Sequence, residues 1–453
     1  MSSKTFLDLG VPAKIANVLT TQGIDSPFPI QVDSLPDTLA GIDVLGRGKT
    51  GSGKTLAFGI PLIARLASSN ANKQASRKPR GLVLAPTREL ATQISKTLEP
   101  LAKAMNLRVT TIFGGVSQNK QVQALRDGVE IIVATPGRLE DLMKQGVLKL
   151  DAIEVTVLDE ADHMADLGFL PGVTRILTAT PRGGQRLLFS ATLDNGVQTL
   201  VNKFLQNPVT HAVDSADSPV SQMTHHVLEA SDAEAKKRLV YALASGTGRR
   251  ILFMRTKHHA KKLAKALTQA GIPAVDLHGN LSQAARDRNL EAFSAGKAKV
   301  LVATDVAARG VHVDGVNLVI HVDPPAEHKA YLHRSGRTAR AGATGDVVTI
   351  SLPTQRKDLA DLLKKAKINL RPLAVTEHSP EVKALIGDVA EFVKPVVPKT
   401  QPQQSRKPNA RSGQRKPPLT ETGTNPRRQS RPSSSRPNSR GSTNGNRQRQ
   451  NSR

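Results

Sequence analysis

Short apolar runs of four or five residues recur along this chain, separated by longer stretches in which apolar residues return at helical spacing. That alternation predicts a parallel sheet covered by helices, an α/β fold. In the first half the predicted strands are Gly81–Ala85, Val109–Phe113, Glu130–Ala134, Glu154–Leu158 and Arg186–Phe189. From about Val213 to Met223 the pattern lapses into polar text (Asp214-Ser-Ala-Asp-Ser-Pro219), as expected of a linker. A second series follows, with strands near His226–Glu229, Arg250–Met254, Ala274–Leu277, Lys299–Ala303, Leu318–His321 and Asp346–Ser351. The expected organisation is therefore a domain over 1–212, a linker over 213–223, a second α/β domain over 224–375 and a basic tail over 376–453. From about 399 that tail is Arg, Ser, Asn, Gln and Pro with almost nothing to bury, and it is expected to be disordered. The polar stretch Ser68–Arg80 reads as a surface loop inside the first domain.

Several predicted strands end in small or polar clusters: Pro86-Thr87-Arg88-Glu89, Gly114-Gly115, Thr135-Pro136-Gly137-Arg138 and Ser190-Ala191-Thr192. In such sheets ligands bind beyond the C-terminal strand ends, so these clusters are placed for function. Two further stretches name the chemistry. Gly48-Lys-Thr-Gly-Ser-Gly-Lys-Thr55 fits a loop whose backbone N–H groups wrap phosphate oxygens. Gly51 and Gly53 permit close backbone approach, Ser52 lies between them, Lys54 can neutralise the β and γ phosphates, and Thr55 can offer its hydroxyl to Mg²⁺. About a hundred residues later, Asp159-Glu160-Ala161-Asp162 closes the apolar run Val155–Leu158. Asp159 is placed to hold Mg²⁺, through water, and Glu160 to orient or deprotonate the attacking water. Together the two point to ATP hydrolysis. In His333-Arg-Ser-Gly-Arg-Thr-Ala-Arg340, Arg337 and Arg340 could reach the γ-phosphate if the second domain closes on the first.

Charge extends the picture. The formal net charge is +26, which favours a polyanionic partner, and nucleic acid over a membrane surface because no basic amphipathic anchor is evident. Residues 401–453 hold thirteen Lys and Arg against the single acid Glu421, which leaves the other 400 residues at +14. There is no cysteine, so disulfides and thiolate metal sites are excluded. The first ten residues lack a signal-peptide pattern and no apolar run approaches a membrane span, so a cytoplasmic location is expected. His225-His226 and His258-His259 lack a ligand framework and read as packing or surface residues.

In these motifs and their order the chain resembles the DEAD-box ATP-dependent RNA helicases over roughly Thr5 to Leu373, the tetrad 159–162 supplying the name. The resemblance implies two RecA-like domains, with ATP and Mg²⁺ as cofactors. Phe28-Pro-Ile-Gln31 is similar to the family's adenine-recognising motif, with Gln31 reading the base edge and Phe6, seventeen residues before Gly23, stacking on the base. Pro86–Leu90, Gly114-Gly115 and Thr135–Arg138 resemble RNA-contacting motifs of the first domain. Ser190, Thr192 and His333 match positions coupling hydrolysis to strand separation. Phe253, Gln283 with Arg286, and Thr304–Gly310 match the second domain's set, with Asp305 on the ribose. Departures from the family's usual residues are Gly48 for alanine, Ser335 for isoleucine, Ala339 for a common glycine, and Pro27-Phe28 before Pro29.

With aromatic content of 3% and no Trp, the chain is poor in stacking platforms. Its grip on RNA is expected on the backbone, through Pro86, Thr87, Arg88, Gly115, Thr135, Gly137, Arg138, Gln283, Arg286 and Thr304, independent of sequence and steeply dependent on salt. The expected partners are single strands and short duplexes of RNA, ribonucleoprotein or other proteins, and no membrane; the tail would act as a loose RNA tether. Two other readings stay open at this point: a DNA-translocating engine of the same build, since the residues alone show no 2′-OH contact, and an ATP-gated clamp or scaffold.

Overall fold

The computed structural model describes residues 4–48, 51–69, 78–212, 223–308, 313, 315–339 and 344–395. Lys49, Thr50, most of the linker, Arg309, Gly310, Arg340 and the basic tail from residue 396 lie outside the described residues.

The first sheet is built from β1 (Val44–Arg47), β2 (Gly81–Leu84), β3 (Val109–Ile112), β4 (Ile131–Ala134), β5 (Val155–Leu158), β6 (Gln185–Ser190) and β7 (Val209–Ala212). Its strand order is β3-β4-β2-β5-β6-β1-β7 and every pairing is parallel. The second sheet holds β8 (Met223–Glu229), β9 (Arg249–Phe253), β10 (Ala274–Leu277), β11 (Val300–Ala303), β12 (Val316–His321), β13 (Gly345–Ser351) and β14 (Leu373–Ala374). Its order, β10-β11-β9-β12-β13-β8-β14, repeats the first sheet position for position, again all parallel.

Parallel strands buried on both faces read as unbroken apolar runs. Gly81–Leu84, Ile131–Ala134, Val155–Leu158 and Val300–Ala303 are buried at every position. The outer strands β3, β7 and β10 are only partly buried, as edges are. One apolar cluster covers each face of each sheet. On the first, Phe58 and Phe189 meet at 5.5 Å between centroids on one side, and Ile176 and Leu200 lie on the other.

Three strands escape the sequence pattern: β1, β7 and β14. The first matters most, because it leads into the phosphate loop. It is four residues long and interrupted by Gly46, so periodicity has little to register. That glycine is a packing requirement, since a Cβ there would sit 2.3 Å from the Phe189 ring.

The second domain stays packed beyond the expected boundary at 375. The helix Pro380–Ile386 buries Val382 completely, and Ala390 and Val393 donate backbone bonds to Ser245 and Gly271. Those apolar contacts lie among polar residues, which hid them from a compositional reading. Among the described residues no helix is long and apolar enough to cross a membrane.

Candidate nucleotide and nucleic-acid site

β1 delivers the chain to Gly48, whose N–H donates to Ser190 O at 3.2 Å. The helix Lys54–Ser68 then begins with Gly53 as its N-cap, at φ 88°. A glycine cap has no side chain to satisfy the helix's first N–H groups, so they remain available to an anion on the positive end of the helix dipole. Lys54 is buried and its Nζ donates to Gly48 O at 2.6 Å, folding the loop on itself. Thr55 follows on the first turn, half-buried, and the Ser52 hydroxyl is buried with no partner among the described atoms.

Gln31, fully buried, lies against this loop. Its Nε2 donates to Gly53 O at 2.8 Å while its Oε1 accepts from Phe28 N at 2.9 Å. The residue expected to read adenine thus also fastens the phosphate loop to the helix Pro29–Leu39. Phe6 lies in the first domain's core at 4% exposure, packed among apolar side chains instead of on an open face.

At the end of β5, Asp159 N bonds Leu84 O, so β2 fixes the carboxylate-bearing turn. Glu160 takes up a left-handed conformation at φ 50°, strained for a residue with a side chain, and its N–H donates to Asp159 Oδ1 at 3.0 Å. Burial pushes the Asp159 carboxyl up to about 7 against the pull of Lys54, with Glu160 and Asp162 adding repulsion. Burial would raise Glu160 as well, but His163, Arg337 and Lys54 outweigh it and hold Glu160 down at about 2. His163 was not singled out by the sequence. Its Nδ1 meets Glu160 Oε2 at 3.2 Å, and its ring is 3% exposed.

Asp162 ties this turn to the end of β6. Its Oδ2 accepts from the backbone N and the hydroxyl of Thr192 at 2.9 and 3.0 Å, and its own N–H meets Ser190 Oγ at 3.2 Å. Ser190 in turn donates to Thr192 O at 2.7 Å. A shift at the carboxylates therefore has a short hydrogen-bonded path to the Ser190–Thr192 segment.

The second domain meets this site along the helix His328–Ser335. Lys54, Glu160, Asp162, His163 and Ala191 line one cleft together with His333 and Arg337. Arg337 is 6% exposed, and its Nε donates to His333 O at 3.2 Å. Arg340, the other expected arginine finger, lies outside the described residues. Asp305 is gripped by Arg334 through two contacts at 2.5 and 2.7 Å. Arg334 also lies over the Phe253 ring at 5.1 Å and donates to Asp323 O at 2.7 Å. Sequence reading gave Arg334 no role of its own, and nothing in a linear pattern reveals such a three-way contact.

Of the residues expected on RNA, those of the first domain and Thr304 follow strand ends, while Gln283 and Arg286 lie on the helix Gln283–Ser294. Thr87 caps the helix Arg88–Ala104 by accepting from Leu90 N at 3.2 Å, and Pro86 before it is buried. Gly115, at φ 75°, lies under the Arg88 guanidinium so closely that a Cβ would come within 2.0 Å of it. Arg138 reaches Val116 O at 3.4 Å; Thr135 precedes its helix and Gly137 is exposed. Across the domains, Arg88 donates to Gln283 at 3.4 Å, while Gln283 and Arg286 both donate to Glu89, at 3.3 and 2.7 Å. Gln283 and Arg286 thus join the domains through Glu89, another residue the sequence left without a role. Thr304 lies at the end of β11, its N–H on Leu277 O at 3.2 Å.

Known proteins with these features are similar throughout. Residues 28–200 match the DEAD/DEAH box helicase model and residues 234–342 the helicase conserved C-terminal domain model. DEAD-box ATP-dependent RNA helicase CshA of Geobacillus kaustophilus is 37% identical over 364 residues, 80% of this chain and 77% of that protein. DEAD-box ATP-dependent RNA helicase 9, mitochondrial, of Arabidopsis thaliana is 40% identical over 347 residues; these are 76% of this chain but 56% of the relative, so the chain spans little more than half of that protein. The structure of S. cerevisiae Dbp5 bound to RNA and ADP BeF3 superposes with a TM-score of 0.73 at 28% identity, covering 85% of this chain and all of that one. With two RecA-like domains meeting over a phosphate loop, an Asp-Glu-Ala-Asp turn and an arginine-bearing helix, the chain belongs to the DEAD-box ATP-dependent RNA helicases.

Proposed function

We propose that this chain is an RNA-stimulated ATPase that grips RNA backbone without reading sequence and uses hydrolysis to separate short duplexes or remodel ribonucleoprotein. The observation that carries the reading is the cleft in which Glu160 and Lys54 of one domain meet His333 and Arg337 of the other. Hydrolysis can then proceed only when the domains are together. Lys54 exchanges Gly48 O for phosphate oxygens, Gln31 and Asp305 hold base and ribose, and Glu160 orients the attacking water. Arg337, joined by Arg340, faces the charge that develops on the transferred phosphoryl group. The coupling runs through Asp162 to Ser190 and Thr192, and through His333.

The site suits Mg²⁺. Asp159 is buried beside Glu160 and Asp162, and burial raises its carboxyl despite the pull of Lys54, so a cation there would be welcome; Thr55, on the first turn after the phosphate loop, could add its hydroxyl. Among the described residues no group of three His or acidic side chains could hold a metal alone, so the ion would arrive with the nucleotide. Bound there, it neutralises phosphate charge.

On RNA, Arg88 and Arg138 supply charge while Thr87, Gly115, Thr135, Gly137 and Thr304 supply hydroxyl and amide contacts; Gln283 and Arg286 complete the track. The thirteen basic residues of 401–453 would hold RNA loosely near this track. Truncation after Lys399 should weaken RNA affinity and flatten its salt dependence; unchanged affinity at low salt would remove the tether from the account.

The test of the whole reading is ATP hydrolysis without nucleic acid, with single-stranded RNA and with matched DNA, using Glu160→Gln as control. Stimulation by RNA alone, abolished in the variant, is expected. Equal stimulation by DNA would make it a general nucleic-acid engine, and wild-type hydrolysis by Glu160→Gln would sink the assignment.

A further inference from the structure

The helix His328–Ser335 presents Lys329 and His333 four residues apart on one side, and Arg337, two residues past its end, lines the same cleft as His333. Arg337 pulls on Glu160, and His333 shares the cleft with Asp162 and Ala191. Lys329, one turn earlier, crosses to the first domain and bonds Asp194 Oδ2 through Nζ at 2.8 Å.

Asp194 is itself held in place. Its Oδ1 caps the helix Asn195–Phe204 by accepting from Val197 N at 2.9 Å, so its carboxylate cannot swing to follow a moving lysine. It lies two residues past Thr192, which Asp162 anchors from the other side. Asp162 and Asp166 add to the negative field that Lys329 enters. The partners are 28% and 24% exposed, sheltered enough to keep part of their attraction from solvent. Neither residue belongs to a motif that the sequence marked.

We infer that Lys329 and Asp194 form an interdomain clasp that sets the register in which Arg337 meets Glu160, with Lys329 acting as a positioning residue that touches neither nucleotide nor RNA. One carboxylate, continuous with the Ser190–Thr192 segment, receives the first of these three side chains, and the other two line the cleft beyond it. Engaging the clasp brings the next two to their places. The inference rests on the ATPase reading for its consequence, but the clasp itself can be measured separately.

The chain has no cysteine, so one engineered cysteine in each domain allows a fluorophore pair to report closure in the full-length protein. The closed-to-open ratio is read with a non-hydrolysable ATP analogue and a uridine oligomer, for wild type, Lys329→Gln, Asp194→Asn and the double variant. Asparagine keeps the helix-capping oxygen and removes the charge. Each single variant is expected to lower the ratio about fivefold. The double variant should be no worse than either single one, the signature of one shared interaction. In parallel, the KM for RNA should rise by a similar factor while nucleotide affinity without RNA stays at its wild-type value. An unchanged ratio in Lys329→Gln overturns the clasp, as does a double loss equal to the product of the single losses. A wild type that closes through the clasp yet hydrolyses no ATP would leave the clasp standing and sink the helicase reading instead.

Discussion

The two sheets have the same strand order, yet they treat the same two positions in opposite ways. After β1 the first domain begins its helix at Gly53, which brings no side chain to the helix end; after β8 the second begins its helix at Asp232, whose carboxylate accepts from Ala235 N at 2.9 Å. A helix already capped by its own anion has little to offer a phosphate. The strands β5 and β12, equivalent in the two sheets, each lead into an aspartate. Asp323 is partnered within its domain, paired with Lys236 at 3.4 Å and accepting from the backbone N–H of Arg255 at 3.0 Å. Asp159 is left among acids, and the lysine that pulls on it, Lys54, donates its Nζ to Gly48 O. The architecture permits a nucleotide site in either domain; one domain satisfied its charges and the other kept them waiting for a ligand.

That contrast can be broken at the lysines, where the largest effect is expected. Lys54→Ala should lower RNA-stimulated hydrolysis by about 10²–10³-fold, as loss of a charged group facing transferred phosphate does. Lys236→Ala removes a partly exposed pair and should cost about 1 kcal/mol of stability in the second domain with hydrolysis nearly unchanged. Steady-state ATPase rates and urea midpoints on both proteins decide the matter. Comparable losses of activity would mean that the second domain's pair also serves the nucleotide.

Much of this division was legible in the chain. The strand runs, the phosphate loop and the Asp159–Asp162 turn are local patterns, and local patterns survive in a sequence. What stayed hidden is pairing between distant residues. Glu89 with Gln283 and Arg286, Lys329 with Asp194, and Arg334 with Asp305 each join side chains whose charges look like ordinary surface until the sheets are assembled. His163 was hidden for a different reason. A polar residue on the first turn of a short helix looks solvated, and the left-handed Glu160 before it turns it inward. β1 failed to register because Gly46 breaks an already short apolar run.

A middle-sized effect separates the domains by pH. In β8, His225 bonds the Tyr331 hydroxyl through Nδ1 at 3.0 Å and stacks on its ring, and burial, with repulsion from His226, lowers its pKa to about 4. An unfolded histidine takes its proton near pH 6.5. Between the two values the unfolded chain binds a proton that the native domain refuses, so stability is full above about 6.5 and drains away as pH falls towards 4. The loss over that window is about 2 kcal/mol once screening of a partly exposed ring is allowed for. His225→Gln should show a flatter decline in urea midpoint between pH 7 and 5; an identical slope would assign the acid sensitivity elsewhere.

The smallest effect lies beside Arg337. Ala339 adopts φ 52°, a left-handed conformation that glycine takes up far more readily. A Cβ in that region costs about 1 kcal/mol, so Ala339→Gly should relax the backbone. It should also loosen the turn after Arg337. The two consequences oppose each other. If the strain is only a tolerated substitution, the variant gains stability and hydrolyses ATP as before. If the alanine stiffens the segment after Arg337, stability rises by the same amount while kcat falls a few-fold and the KM for ATP holds. Loss of stability in Ala339→Gly would contradict both, because it would mean that glycine's added unfolded-state entropy, or contacts of the alanine methyl, outweigh the relief of strain.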